Sequence, residues 1–186
     1  MSEDYLSDDG EDRICDPACG TGGFFLIAHR YLHTHYRLDK AQKKFIKHQA
    51  FKGTDVADGV VRLCAMNLYL HGISSDESPI ETKDSLMSDP GDRFEMVLTN
   101  PPFGKKSSVT IFNQEGKAQK EQIVYQRDDF WATSSNKQLN FLQHVRTLLK
   151  IHGKAAIVVP DNVLFEGGAG ETIRRKLLEA TDCRVC

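Results

Sequence analysis

The chain has 186 residues, 40% of them hydrophobic and 27% charged, which suits one well-buried domain and is too short for two of ordinary size. Its formal net charge of −2 conceals six acids and no base within residues 1–12, so the remainder is mildly basic, compatible with a nucleic-acid partner without demanding one. No apolar run approaches the roughly 20 residues that span a bilayer and no apolar leader follows the start, which predicts a cytoplasmic chain with no membrane partner. The five cysteines are odd in number and sit in apolar or motif contexts, predicting reduced thiols and not a secreted disulfide framework.

Residues 1–12 read as a disordered acidic lead-in and 13–186 as the folded body. Arg13, Ile14 and Cys15 form a brief strand that runs into Asp16-Pro17-Ala18-Cys19-Gly20-Thr21-Gly22-Gly23-Phe24. A helix follows, with Phe25, Leu26, Ala28, Tyr31 and Leu32 on its apolar face. Glycines let a backbone approach a ligand, and a helix N-terminus offers N–H groups. The loop lacks the Lys-Ser/Thr of a phosphate loop and is not GxGxxG, and Asp16 repels phosphate while welcoming an ammonium. A ligand with an α-amino group, a carboxylate and a ribose fits it, as S-adenosylmethionine does; a glycine turn required only for packing is the bland alternative. His29 and His33 have the i, i+4 spacing of metal ligands but no accompanying carboxylate motif, so solvated histidines are expected. Cys15, Cys19, Cys183 and Cys186 would make a zinc site only if the first turn met the chain end, and no metal is expected.

The segment from Lys40 to Gln49 reads as a polar helix end. Ala50 to Asp55 is a second strand closed by an acid, in the position that holds a ribose diol in folds of this kind, although an acid there also caps a helix. Val60, Val61, Cys64 and Leu68 mark the next helix, stopped by Gly72. Ile80 to Lys83 make a third strand, after which Asp84 could accept from an adenine amino group and Leu86 pack on the ring; a turn-forming Asp is the ordinary reading.

The fourth strand, Phe94 to Leu98, is short and apolar, as a central parallel strand should be. Pro101 and Pro102 end it, fixing φ, removing two donors and holding Asn100 extended. The corner so made presents an amide side chain, the Pro101 carbonyl and the flat ring of Phe103, which suit a planar aromatic amine and its ring. Asn-Pro-Pro also serves simply to terminate a strand, and the tetrapeptide by itself does not choose. Gly104 to Ser134 follows as a long irregular loop mixing Lys105, Lys106, Lys117, Lys120 and Arg127 with Phe112, Tyr125, Phe130 and Trp131, a composition that suggests nucleic-acid contact. Ser135 to Gln138 has a capping-box pattern before a helix carrying Leu139, Leu142, Val145, Leu148 and Leu149. Ala155 to Val159 reads as a buried fifth strand, Ile173, Leu177 and Leu178 as the last helix, and Cys183 to Cys186 as the start of another strand.

Strands alternating with helices predict an α/β fold with a doubly wound, mostly parallel sheet and ligands at the strand ends. DPACGTGGF at 16–24 followed by NPPF at 100–103 resembles the amino-group DNA methyltransferases. With NLYLHG at 67–72, TSSNKQLNFLQHV at 133–145 and VVPDNVLFEGGAGETIRRKLL at 158–178, the chain is similar to the methylation subunits of type I restriction-modification systems. The resemblance implies the S-adenosylmethionine-dependent methyltransferase fold, here truncated at both ends, and methyl transfer from S-adenosylmethionine to N6 of adenine in DNA. It implies a cofactor set of Asp16, Ala18, Gly20, Thr21, Gly22, Asp55, Asp84, Leu86 and Asn100 and a catalytic set of Asn100, Pro101, Pro102 and Phe103. DNA and the specificity and restriction subunits of a type I complex are the implied partners, and the isolated fragment is expected to be inactive. Guanine N2 in RNA or a protein glutamine amide is the alternative acceptor. No Pro-Cys nucleophile follows the fourth strand, which argues against a cytosine-C5 enzyme.

Overall fold

The computed structural model describes residues 12–74, 77–103, 108–112, 118–122 and 124–185, with 108–112 and 118–122 as backbone alone. Residues 1–11 of the lead-in expected at 1–12, and Lys105, Lys106 and Lys117, lie outside the described residues, as do the side chains of Phe112 and Lys120; Asp12 is described and is buried, so the body begins there. In chain order the elements are β1 (Ile14–Asp16), α1 (Gly23–His35), α2 (Lys40–His48), β2 (Phe51–Asp55), α3 (Asp58–Leu70), β3 (Ile80–Thr82), β4 (Phe94–Thr99), β5 (Ser108–Phe112), β6 (Ala118–Gln122), α4 (Lys137–Leu148), β7 (Leu149–Ile157), α5 (Asn162–Phe165) and α6 (Ala169–Ala180). They fall into two compact units. One runs to Ser85 and adds Pro90–Pro101 and Leu148–Val158; the other holds Leu86–Asp89, Pro102–Thr147 and the chain from Val159.

The first unit is a five-stranded sheet in the order β3-β2-β1-β4-β7. Every pairing is parallel, so the predicted α/β fold class holds. Strand order runs one way from β1 through β2 to β3 and the other way from β4 to β7, which makes the β1/β4 junction the topological switch point. Ile14 sits opposite both Phe51 and Met96, and Cys15 opposite both Lys52 and Val97. All three residues of β1 are buried, as its central place requires. Phe25 and Leu32 of α1, and Cys64 and Leu68 of α3, close over Ile14, Phe51 and Ile80 to form the core.

Two expectations for this unit change. Residues 40–48 are not the tail of the first helix: Tyr36 turns extended, and Asp39 opens a separate helix with a capping box in which its carboxylate accepts from Gln42 N at 2.8 Å. The buried strand expected at 155–159 instead spans Leu149–Ile157 as the sheet's edge, with Ile151 89% exposed. Its register against β4 shifts between Phe94 and Met96, and residues 150–153 loop out there around His152 at φ 66°.

In the second unit the expected irregular loop at 104–134 is partly regular. β5 and β6 form an antiparallel pair, and Tyr125 bridges to Ser134. Helix α4 turns a buried polar face toward residues 125–136. The Gln143 amide both accepts from Ala132 N and donates to Ala132 O, each at 2.9 Å, and the Asn140 amide donates to Ser134 O. Arg127, expected among the nucleic-acid contacts, is instead 4% exposed at its side chain and forked onto Asp129 at 2.9 and 2.6 Å, with Phe130 beneath the guanidinium. Burial pushes the Asp129 carboxyl up, but hydrogen bonds from Arg127 and Thr147 win and hold it below the usual range. The cap of α4 is Asn136, accepting from Gln138 N, and not Ser135. Leu139, Val163 and Ile173 form this unit's apolar centre with Trp131 and Val159. Residues 182–185 form no strand. Among the described residues no helix is long and apolar enough to cross a membrane.

Gly22 is where the turn into α1 tolerates no side chain. Its φ is +85°, and a Cβ there would lie 2.8 Å from Cys64 Sγ. Gly22→Ala should lower unfolding free energy by about 2 kcal/mol in chemical denaturation. Adding Cys64→Ala should return only part of that loss, since it relieves the collision and leaves the φ cost.

Candidate functional site

The parallel sheet brings Asp16 (β1), Asp55 (β2) and Thr99-Asn100 (β4) to one end of three strands. Asp16 is 1% exposed. Its Oδ1 accepts the Ala18 N–H at 3.0 Å, which bends the chain at the mouth of the glycine turn. Burial pushes this carboxyl up to about 6, and Asp55 adds to the rise; the Thr99 hydroxyl and the Ala18 N–H pull the other way. Asp55 is oriented by two backbone donors, Gly20 N at 3.2 Å to one oxygen and Ala57 N at 3.0 Å to the other. A carboxylate so held keeps lone pairs for a diol.

The glycine turn is tied down along its length. Pro17 O accepts from the Ser85 hydroxyl at 2.5 Å and the Thr54 hydroxyl at 3.2 Å, and the two hydroxyls are 2.6 Å apart. Cys19 N donates to Thr54 O at 3.0 Å, and Asn67 on α3 donates its amide to Thr21 O at 3.0 Å. Gly22 then caps α1 without any side-chain cap and with no acid in the first turn, so the positive end of the helix keeps its character. A Cβ at Gly20 or Gly23 would meet nothing within 4 Å, which leaves the outer side of the turn open.

Cys19 and Cys64 lie beside each other under this turn. The neighbouring Cys64 sulfur and burial push the Cys19 thiol far up, and burial does the same to Cys15, so neither is a nucleophile. Among the described residues no group of three or more His, Cys, Asp or Glu could hold a metal ion.

The structure therefore gathers Asp16, Ala18, Gly20, Thr21, Gly22, Asp55, Asn100 and Pro101 in the first unit, with Asp84 two residues beyond β3. Asn100 is exposed and Pro101 buried. Leu86, Pro102 and Phe103 belong to the second unit, where Leu86 is 1% exposed and Phe103 55%. Four residues escaped the sequence reading: Thr54, Ser85, Asn67 and Thr99. Asn67 carried a signal, since it opens the NLYLHG motif. The three hydroxyls carried none: a lone Ser or Thr near a strand end is ordinary, and Thr54 and Ser85 find their carbonyl partner 37 and 68 residues away.

The donor set fits a nucleoside bearing an amino acid: a buried anion for an ammonium, an open helix end for a carboxylate, an oriented carboxylate for a diol. Thr99 Oγ1, 0% exposed and without a well-formed hydrogen bond, marks polar capacity at the same place.

A family model described as N-6 DNA methylase matches residues 2–185. The type I restriction enzyme EcoKI methylase subunit of Escherichia coli strain K12 is 38% identical over 175 residues, covering 89% of this chain and 30% of that protein. The StySPI methylase subunit of Salmonella potsdam is 38% identical over 176 residues with the same coverage of both. The crystal structure of the EcoKI M protein superposes with a TM-score of 0.70 at 34% identity over 94% of this chain and 38% of that one. A type I methyltransferase subunit from Streptococcus thermophilus gives 0.66 at 26% identity over 96% of this chain and 35% of that one. The chain thus spans about 30% of the length of these curated relatives.

Asp16 generates a pH prediction of definite sign. Its folded value of about 6 lies above its ordinary 3.8, so between them the folded chain holds the proton more tightly than the unfolded chain does. Stability from this group therefore rises as pH falls through that window and is lacking above it. At neutral pH Asp16→Asn should be more stable than the parent by on the order of 2 kcal/mol, the gap closing toward about pH 4. Urea denaturation of both proteins across that range measures it.

Proposed function

The chain belongs to the N-6 DNA methylase family, and from that premise we propose that it is the catalytic core, residues 13–186, of a type I restriction-modification methylation subunit that methylates N6 of adenine in DNA. The observation that carries this reading is the strand order. It sets the Asp16 turn and the Asn100-Pro101 corner on adjacent strands at the switch point, where folds of this class bind their ligands.

S-adenosylmethionine, when bound, supplies a methyl group made electrophilic by the adjoining sulfonium. The protein's part is to bind and to orient. Asp16 would face the ammonium, the N-terminus of α1 with Gly20, Thr21 and Gly22 the carboxylate, and Asp55 the ribose hydroxyls. Asp84 and Leu86 would receive the adenine of the donor. Asn100 Oδ1 and the Pro101 carbonyl would each accept one N–H of the acceptor amine, turning its lone pair, otherwise delocalised into the ring, toward the methyl group. Phe103 offers an exposed ring on which an extruded base can stack, and Pro102 keeps the corner rigid. In this reading the working assembly includes DNA and the specificity and restriction subunits, and acts in the cytoplasm where its DNA lies.

Mass spectrometry of genomic DNA from cells with and without the gene should show N6-methyladenine only in the former; unchanged adenine with a new modified guanine or none at all would refute the assignment. In the intact enzyme Asn100→Ala should abolish transfer while leaving S-adenosylmethionine affinity within a few-fold. Phe103→Ala should weaken binding of an extruded base by about 1 to 3 kcal/mol, with Phe103→Trp recovering much of it. A base-analogue fluorescence assay reads that difference.

A further inference from the structure

Thr99 has no role in the reading above, yet its position is unusual. It is the last residue of β4, 0% exposed, and immediately precedes Asn100. Its backbone carbonyl is committed to the sheet, accepting from Val158 N at 3.0 Å. Its hydroxyl has no partner of good hydrogen-bond geometry, and a buried hydroxyl left so is a cost that a Val of the same shape would avoid. On the neighbouring strand Asp16 is 1% exposed with one carboxylate oxygen taken by Ala18 N. Two buried polar side chains, one a donor and the other an acceptor, thus end adjacent parallel strands.

We propose that Thr99 is a positioning residue for the methyl donor: its hydroxyl donates to Asp16 and holds that carboxylate anionic and aimed at the donor's ammonium. The inference rests on the methyltransferase reading and adds to it a residue outside the Asn100-Pro101-Pro102-Phe103 corner. The surroundings of Asp16 show why such help is needed. Asp55 faces it from β2 and raises its proton affinity, the sulfurs of Cys19 in the turn and Cys64 on α3 lie near it, and Cys15 precedes it on β1. Among the described residues no cationic side chain is paired with Asp16. Only hydrogen-bond donors oppose its burial: Ala18 N at 3.0 Å, and the Thr99 hydroxyl at the end of the adjoining strand, which has no other partner. Serving Asp16 also explains why β4 ends on Thr at a position where an apolar residue would pack equally well.

The sign follows from linkage. The ammonium is held by the ionised carboxylate, so affinity for the donor falls as pH drops through the Asp16 value. Removing a donor to the carboxylate moves that fall to higher pH. The test is calorimetric titration of the full chain with S-adenosylhomocysteine, which keeps the ammonium, carboxylate and ribose, from about pH 5 to about pH 8.5. Thr99→Val should shift the midpoint of affinity loss upward by about one pH unit, giving about five-fold weaker binding near pH 6, approaching ten-fold near pH 5, and little change at the alkaline end. Thr99→Ser should restore the parent profile. Thr99→Ala provides a second hydroxyl-free variant should Thr99→Val not fold, with the same shift expected. A midpoint unchanged in the hydroxyl-free variants, or a loss equal at every pH, overturns the role of Thr99 while leaving the methyltransferase reading intact. Absence of S-adenosylhomocysteine binding by the parent at every pH overturns both.

Discussion

A carboxylate sealed from water at the end of a central strand is unfavourable, and Asp16 is such a group. Much of the first unit reads as the arrangement that tolerates it. β1 lies between β2 and β4, so both edges of this strand of three residues are covered and Asp16 is buried at its end. The Ala18 N–H is turned back onto the carboxylate by the same bend that begins the glycine turn, so the chain's entry into α1 and the charge state of Asp16 are one feature. A group whose burial costs stability and whose charge suits a cationic ligand fits the general pattern in which functional sites run against the fold's own preference.

Around that group the structure spends hydroxyls and amides on a single backbone segment. Residues 17–22 receive hydrogen bonds from Thr54, Ser85 and Asn67 and give one to Asp55. A turn of this length with two glycines has much conformational entropy to lose, and tethering it from β2, from the loop after β3 and from α3 removes that freedom before any ligand arrives. The tethers come from three different elements, so the turn's shape depends on correct packing of α1 and α3 over the sheet. Gly22 shows how tight that packing is, with no room for a methyl group against Cys64.

The second unit uses polar burial to a different end. Its α4 carries Gln138, Asn140, Gln143, His144 and Thr147 buried, where an amphipathic helix would have apolar residues. These side chains take the hydrogen bonds of residues 125–136, which have few regular ladder partners of their own. The Arg127–Asp129 fork completes the same network, supported by Thr147 and by contact with His144 Nδ1 at 3.1 Å. The TSSNKQLNFLQHV motif is thus largely a description of how this segment is held.

Local chemistry was legible in the sequence. The glycine turn between strand and helix, the proline-closed fourth strand and the period of α3 and α6 all depend on residues close in the chain, so the parallel α/β class and the Asp16 and Asn100 corners could be read directly. The helix break at Asp39 is written in the same way, in the Asp39–Gln42 pair, but Lys40 to Gln49 carries too few apolar residues to show a helical period of its own. What only the tertiary structure decided is pairing at long range. It placed β1 between β2 and β4, put Ile151 and its neighbours on an exposed edge, buried Arg127, and set the Thr54 and Ser85 hydroxyls on a carbonyl 37 and 68 residues away. A hydroxyl or a guanidinium has the same letter whether it meets water, phosphate or a buried carbonyl, and only the packed chain determines which of these it finds.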